Sequence, residues 1–373
     1  MNPHTKCVML AAGGTGGHLF PAYALAEELA RRGYTVDLAT DMRGDRYGTG
    51  FPARTVHKIH SATLAGRSPL AVARTGVLLA RGVGEALRIL ARVKPSVVVG
   101  FGGYPSFPPL IAARLRRIPA ALHEQNAVLG RANRMLARRV DRVATSFAAT
   151  RFLDGALAAK ACFTGNPVRA VVIAAARTPY APPAPDGPFN LLVFGGSQGA
   201  RVLADLAPPA LAALAAPLRQ RLRVVQQARE EDLPRVEAAY AAAGISATVR
   251  PFFQDLPERM AAAHLVIGRS GASSVAELTV IGRPSILVPL PHALDNDQLQ
   301  NATRLAESGG AWCIEQKDLS PERLRLELEG LMGDPARLAA AAEAARSAGR
   351  PDAVERLADL VEELAGARAR PGG

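Results

Sequence analysis

Twice in this chain a short apolar run leads at once into a glycine loop and then into an Ala/Leu-rich helical stretch. In the first copy Lys6 to Ala12 precedes GGTGGH (Gly13 to His18) and a stretch ending at Gly33. In the second, Asn190 to Phe194 precedes GGSQG (Gly195 to Gly199) and a stretch from Ala200. Aligned on Gly13 and Gly195, the loops superpose, with Thr15 on Ser197. Strand, glycine turn and helix, repeated, predict a duplicated α/β unit.

The rest of each half extends the pattern. Tyr34 to Thr40, Val97 to Gly100 and Ala120 to His123 read as buried strands of the first half. Leu222 to Gln226, His264 to Gly268 and Pro284 to Pro289 do so in the second, with a helix from Ala272 to Ile281 closed by Gly282. Near-continuous apolar strands alternating with helices belong to parallel sheets covered on both faces. The expected fold is α/β, two Rossmann-like doubly wound parallel-sheet domains facing across a cleft, with ligands at the strand C-terminal ends. The Pro-rich stretch Thr178 to Pro188 reads as the linker between them.

Composition narrows the classes further. The chain has 373 residues, 49% apolar and 21% charged, enough for two cores and incompatible with wholesale disorder. Cys7, Cys162 and Cys313 show no paired spacing, which predicts a reducing compartment and no cysteine-held metal. Ser96 to Ala113 is uncharged but broken by glycine and proline, so no spanning helix is expected. Met1 to Leu10 lacks the apolar core of a secretory signal. The formal charge is +12. Only five of the 45 basic residues are lysines, the mark of a GC-rich codon bias, yet Arg114 to Arg142 is dense in arginine and suits an anionic lipid, a nucleic acid or a phosphorylated ligand.

A helix is predicted after Ser68 and Pro69, with Val72, Leu79, Val83, Ala86 and Leu90 on its core face. Arg74, Arg81 and Arg88 recur every seven residues on the other face, among Leu70, Val77 and Leu78. That mixture fits a helix lying on a membrane surface, and equally a solvated arginine face.

Glycine turns opening helices let backbone N–H groups approach phosphate, with the helix dipole favouring the negative charge. Two of them predict a diphosphate-bearing ligand. No Gly-Lys-Ser/Thr occurs, and G-x-G-x-x-G fails at Leu19 and at Pro105, which argues against P-loop and nicotinamide chemistry. A rival reading is a hydrolase: Gly195, Ser197 and Gly199 form G-x-S-x-G, followed by Asp255 and His292. It leaves the first half unexplained. Asp295-Asn296-Asp297 and His57-x-x-His60 are short metal-like patterns, read more simply as a helix start and as strand-edge residues. His18, after the first turn, has the side chain to take a proton from a hydroxyl near neutral pH. His123, Glu124, Gln125 and Asn126 end another strand, and Glu277 is placed to accept from a ribose.

Seven motifs then stand in a telling order: GGTGGH, GFGGYPSFP at Gly100, HEQN at His123, TGNPVR at Thr164, GGSQGA at Gly195, RSGASSVAEL at Arg269 and DNDQLQNA at Asp295. Over essentially its whole length the chain resembles the MurG family, bacterial transferases of N-acetylglucosamine from UDP-N-acetylglucosamine (UDP-GlcNAc) to undecaprenyl-diphospho-muramoylpentapeptide, lipid I. The resemblance implies a GT-B fold, inverting transfer that makes lipid II for peptidoglycan, and no metal or other cofactor. It implies a peripheral protein on the cytoplasmic side of the cell membrane, touching an anionic membrane surface and cell-division or elongation proteins, with no nucleic acid partner. Residues 1–166 would be the acceptor and membrane-associated domain and 167–350 the donor domain, with a last helix at 351–366 packing back on the first.

Carried over by motif, the donor contacts fall on Thr15, Gly16, Gly17, Asn126, Arg169, Ser197, Phe253, Ala272, Ser273, Ser274, Val275, Ala276, Glu277 and Gln298. Phe253 would hold the uracil through its backbone, Glu277 the ribose and Ser197 the diphosphate. Gly14 and Tyr104 would border the acceptor diphosphate. The base is His18 or Glu124, which the resemblance does not settle; a carboxylate that orients the imidazole is a third arrangement. Two departures from the family stand out: Asp297 places a charge beside Gln298, and the helix after Ser68 lacks bulky aromatics, which predicts membrane contact driven by charge and sensitive to salt.

Overall fold

The computed structural model describes residues 6–13, 16–41, 50–62, 68–196 and 199–367. The chain divides into two compact units, Met1–Arg169 with Pro351–Gly373, and Ala170–Arg350. The first holds strands β1 (Cys7–Ala11), β2 (Thr35–Thr40), β3 (Thr55–Lys58), β4 (Val97–Gly100), β5 (Ala120–Glu124), β6 (Arg142–Thr145) and β7 (Ala161–Phe163). They form one sheet in the order β3-β2-β1-β4-β5-β6-β7, every pair parallel. The second unit holds β8 (Phe189–Phe194), β9 (Leu222–Gln227), β10 (Ser246–Arg250), β11 (Leu265–Gly268), β12 (Ser285–Leu287) and β13 (Ala311–Cys313), ordered β10-β9-β8-β11-β12-β13 and again all parallel.

In both sheets the chain reverses direction of travel next to its first strand, between β1 and β4 and between β8 and β11. Loops leaving neighbouring strands there diverge to opposite faces and open a crevice at the strand C-terminal ends, where α/β proteins place ligands. GGTGGH and GFGGYP follow β1 and β4; GGSQG and RSGAS follow β8 and β11. Each glycine motif therefore sits at the switch point of its own sheet.

Alternation along the strands builds two cores in the first unit. Val8, Leu10, Val36, Val97 and Val99 face one side, with Leu25 and Leu29 of helix Gly16–Arg31. Met9, Ala11, Val98 and Leu122 face the other, with Ala86 and Leu90 of helix Pro69–Val93 and Leu110 of helix Phe107–Leu115. The helix Ala353–Ala367 completes the first core with Leu357, Val361 and Leu364, and Arg32 binds Asp359, Glu362 and Glu28 at 2.6, 2.7 and 2.6 Å.

Two features differ from the sequence reading. The stretch Thr178 to Pro188 is not a link between the units but part of the second. Arg283, buried beneath it, donates to the Thr178 carbonyl at 3.0 Å and to those of Ile281 and Gly282, while Tyr180 donates to His264 O at 2.9 Å. Proline content marked a break in regular structure, not a break between units. The sequence reading also omits the edge strands β3, β7, β10 and β13, and β6, which lies between β5 and β7. They are short, and β3 and β10 are half polar and largely exposed, so they lack the apolar run that betrays an inner strand.

Helix Pro69–Val93 leaves Arg74, Val77, Arg81 and Arg88 exposed, Leu78, Leu79 and Val83 half-buried, and Ala86 and Leu90 buried. The side chains of Leu70 and Val72 lie outside the described residues. Arg81 is not part of a bare cationic stripe, since it pairs with Glu85 at 3.1 Å. His57 and His60 do not converge either. His57 bonds buried Asp37 at 3.0 Å, and His60 bonds Glu85 at 2.9 Å. Among the described residues no three His, Cys, Asp or Glu side chains form a metal-sized cluster, and no helix is long and apolar enough to cross a membrane.

Candidate active site

In the first unit, His18 stands in the opening turn of helix Gly16–Arg31. Its Nδ1 lies 3.0 Å from Oε1 of Gln125, just past β5. Gln125 Nε2 lies 2.9 Å from His123 Nδ1 and 3.0 Å from the His123 carbonyl, and His123 Nε2 lies 3.0 Å from the Gly165 carbonyl. Burial pushes the His123 imidazole down to about 4, so it is neutral near pH 7. The partner that orients His18 is thus an amide, not the carboxylate that the sequence reading held open.

Glu124 turns away from this row into the protein. Fully buried, its carboxylate accepts from the Asn126 N–H at 3.0 Å, the Gly130 N–H at 2.8 Å, and the side-chain amides of Asn133 at 2.6 Å and Asn126 at 3.3 Å. Burial pushes its pKa up, against the pull of these donors. Its geometry is that of a strut which fixes Asn126 and the start of helix Arg131–Ala137.

The loop after β4 approaches the same ring. Gly103, at φ +68°, adopts a left-handed backbone next to His18, and a Cβ there would meet the imidazole Nε2 and Cδ2 at 3.4 Å. Ser106 Oγ is 2.8 Å from the carbonyls of both Ala11 and Gly102, which holds the β1 and β4 loops together. Tyr104 follows at the start of a short 3-10 turn. Arg169 ends the unit with its guanidinium 4.8 Å from the Phe20 ring centre, on the His18 helix. Gly16 is buried and Gly17 half-buried in that helix, while Gly14 and Thr15 lie outside the described residues.

In the second unit, helix Ala272–Ile281 opens at Gly271 with no side-chain cap, and its first turn carries Ala272, Ser273 and Ser274, all partly accessible. Ser273 Oγ is buried without a hydrogen-bond partner. Uncapped N–H groups beside an unpaired hydroxyl are the donors that an anion would need. Val275 and Glu277 are buried further along the helix, and Ala276 is half-buried. Ser270 donates to the Gln298 carbonyl at 2.7 Å, and Asn301 donates to the Ser270 carbonyl at 3.1 Å, so helix Asp297–Glu307 is tied to the same turn. Gln298 Oε1 accepts from the Leu290 N–H at 3.0 Å, which leaves its Nε2 to donate elsewhere. Asp297 is turned onto the Gln298 N–H at 2.7 Å, toward the helix end rather than outward. Phe253 is buried with Arg259 over its ring at 4.6 Å. Ser197 lies outside the described residues. The other members of the hydrolase reading do not assemble: Asp255 pairs with Arg259 at 2.8 Å, and His292 lies on an exposed turn.

Two site features carried no clear sequence signal. Asn133, nine residues beyond Glu124, helps hold it, a contact that only the fold of helix Arg131–Ala137 creates. Asn166, within TGNPVR, has both polar side-chain atoms buried without partners.

Comparison with known proteins identifies the class. Residues 8–145 match the glycosyltransferase family 28 N-terminal domain and residues 190–357 the family 28 C-terminal domain. A curated relative from Methylobacterium sp. (strain 4-46) is 59% identical over 96% of each chain. One from Nitrobacter hamburgensis is 54% identical over 97% of this chain and 98% of its own. Both are named UDP-N-acetylglucosamine--N-acetylmuramyl-(pentapeptide) pyrophosphoryl-undecaprenol N-acetylglucosamine transferase. The crystal structure of Acinetobacter baumannii MurG is 31% identical, superposes with a TM-score of 0.78 and covers 96% of this chain and 99% of that one. The calicheamicin glycosyltransferase CalG4, at 17% identity and a TM-score of 0.67 over 99% of this chain and 100% of its own, shares the fold. The chain belongs to the MurG family of glycosyltransferases.

Proposed function

We propose that the protein transfers N-acetylglucosamine from UDP-GlcNAc to the 4-hydroxyl of the muramoyl residue of undecaprenyl-diphospho-muramoylpentapeptide, the step from lipid I to lipid II in peptidoglycan synthesis. The observation that carries this is near-full-length identity of 54–59% to transferases of that name, joined to a polar constellation at each sheet's switch point. In this reading the uncapped turn at Ala272 to Ser274 and the hydroxyl of Ser273 hold the donor diphosphate together with Ser197, and Glu277 takes the ribose. Phe253 supports the uracil, Gln298 Nε2 reaches the sugar, and Asn126 and Arg169 contribute from the first unit. Thr15 to Gly17, Gly14 and Tyr104 serve the acceptor diphosphate and the transferred sugar.

Chemically, His18 takes the proton from the muramoyl hydroxyl as its oxygen attacks the anomeric carbon from the face opposite the leaving group, inverting it. The bond to UDP breaks, and its growing charge is met by backbone N–H groups and by the Arg169 guanidinium. Fixed cations and dipoles of this kind do the work of a divalent ion, so turnover without metal is part of the proposal.

The acceptor is lipid-linked, and we assign the first unit to the membrane surface on the cytoplasmic side. Arg74 and Arg88 stand with Val77, which is 69% exposed, and half-buried Leu78 on one helix, where Arg81 adds a charge that Glu85 partly offsets. Exposed Leu115, Met135 and Phe152 add the bulk that this helix lacks. A pocket of about 600 Å³ lined by Arg114, Arg117, Arg139 and Arg142, their charge partly offset by Asp141 and Glu363, leaves a further net positive charge. Salt-sensitive binding to anionic vesicles follows. We assign no nucleic acid partner; contact with division or elongation proteins belongs to this same reading.

The test is UDP release from UDP-GlcNAc, with and without a lipid I analogue, in EDTA, for wild type and His18→Ala. Acceptor-dependent release that survives EDTA and drops by a factor of about 100 or more in the variant is expected. A wild type without acceptor-dependent release, on a lipid substrate validated with another family member, overturns the proposal.

A further inference from the structure

A histidine can act as a base only through a nitrogen that carries a lone pair, and a neutral imidazole has just one such nitrogen. Which one is set by its hydrogen-bond partners. The row that ends at His18 contains enough fixed acceptors to settle the question from its far end. The Gly165 carbonyl accepts and cannot donate, so His123 Nε2, 3.0 Å away, carries the hydrogen. Buried and neutral, His123 then has a bare Nδ1. That atom and the His123 carbonyl both require a donor, and the Gln125 group lying 2.9 and 3.0 Å from them is therefore its NH₂. The opposite amide orientation would set a carbonyl oxygen against a lone pair and another carbonyl oxygen. The amide oxygen must then face His18 Nδ1 at 3.0 Å, and an amide oxygen can only accept.

We propose that Gln125 and His123 are positioning residues, which pass a fixed hydrogen-bond polarity from the Gly165 carbonyl to His18 so that its hydrogen resides on Nδ1 and its lone pair on Nε2. This rests on the reading of His18 as the base. The free lone pair is on the nitrogen nearest Gly103, where a Cβ would come within 3.4 Å of it. The relay spans 107 residues between His18 and Gln125 and a further 42 between His123 and Gly165, so it is created only when the segments that follow β1, β5 and β7 are brought together in one sheet, with β4 and β6 between those strands. The orienting group is neutral. An imidazolium formed during proton transfer keeps the amide oxygen as partner of its Nδ1–H, without the strong pull that a carboxylate in that place would exert. Among the described residues, His123 and Glu124 are titratable groups close enough to feel the charge of His18, and Arg169 lies over Phe20, two residues along the same helix.

The experiment combines histidine ¹⁵N NMR with kinetics on the full chain, with His18 signals assigned by their loss in His18→Ala. In spectra recorded at pH 8, wild-type His18 is expected to show Nδ1 protonated and Nε2 bare. In Gln125→Leu, similar in size but unable to accept, that preference is expected to vanish and kcat to fall about 10- to 100-fold, with KM for UDP-GlcNAc within about threefold of wild type. In Gln125→Glu, the acidic limb of the kcat/KM profile should move up by about one pH unit, because a carboxylate beside the imidazole favours its charged form. A wild-type spectrum with Nε2 protonated overturns the relay, and so does a folded Gln125→Leu with undiminished kcat. If the spectra are as expected but His18→Ala keeps its kcat, the relay stands and the assignment of the base fails instead.

Discussion

The side-chain amide of Asn133 donates to the Glu124 carboxylate at 2.6 Å, and this bond lies in a buried cluster whose other donors are the N–H groups of Asn126 and Gly130 and the Asn126 side-chain amide. A carboxylate saturated by internal donors is poorly placed to accept a proton from a substrate. Glu124→Gln replaces one acceptor oxygen with a donor that faces existing donors, at a cost of about 2 kcal/mol. We expect a lower melting temperature and a KM for UDP-GlcNAc several-fold higher through loss of order at Asn126, with kcat within about tenfold. A variant of unchanged stability and KM whose kcat is down about a thousandfold would identify Glu124 as the base after all.

Buried His123 gives a pH signature of stability. Its pKa is about 4 in the folded chain against 6.5 in the open chain, so between these values the unfolded state binds the extra proton. This contribution is complete above pH 6.5 and is lost as pH falls toward 4. By pH 5 the loss should amount to about 2 kcal/mol. Urea unfolding of wild type and His123→Asn at pH 7 and pH 5 should show the gap between them shrink by that amount. A gap that does not change with pH would mean that His123 titrates normally.

Gly82 sits mid-helix, where alanine would ordinarily be better by about 1 kcal/mol. Here a Cβ would fall 2.0 Å from the His60 carbonyl oxygen, which is backbone and cannot swing aside. Sterics should outweigh propensity, so Gly82→Ala is expected to lower the melting temperature and loosen helix Pro69–Val93 from the sheet edge. Gly84 has open space at its Cβ and provides the control, since Gly84→Ala should be neutral or stabilising. Thermal melts of the two variants decide the matter, and equal effects would count against the contact.

Leu357, fully buried on the last helix, packs into the core that Leu25 and Leu29 build beneath the helix bearing His18. Leu357→Ala should cost about 2–5 kcal/mol. Since the helix it supports also carries the imidazole, chemical denaturation and kcat should suffer together. Retained kcat at temperatures where the variant is fully folded would show that the last helix stabilises the unit without setting the site.

Much of this protein was written in its sequence at short range. The glycine turns, the inner strands and the end of helix Ala272–Ile281 at Gly282, φ +71°, follow from local rules, since apolar runs mark doubly covered strands and only glycine takes that backbone cheaply. The duplication that predicts two sheets is likewise visible as two loops in register. The edge strands β3 and β10 escaped because partial exposure removes the apolar run, and Thr178 to Pro188 misled because proline reports local backbone, not membership of a unit.

What only the tertiary structure decided is which polar side chains meet. HEQN is legible as a strand end, yet nothing in it distinguishes Glu124, turned inward onto Asn133 and Gly130, from Gln125, turned outward to His18. The tautomer assigned to His18 depends on a carbonyl at Gly165, and the seating of its helix depends on residues 353–367 returning to the first unit. The physical reason is that backbone preference and burial act over a few residues and leave a local trace. Hydrogen-bond polarity and packing partners are fixed only when distant strands lie side by side.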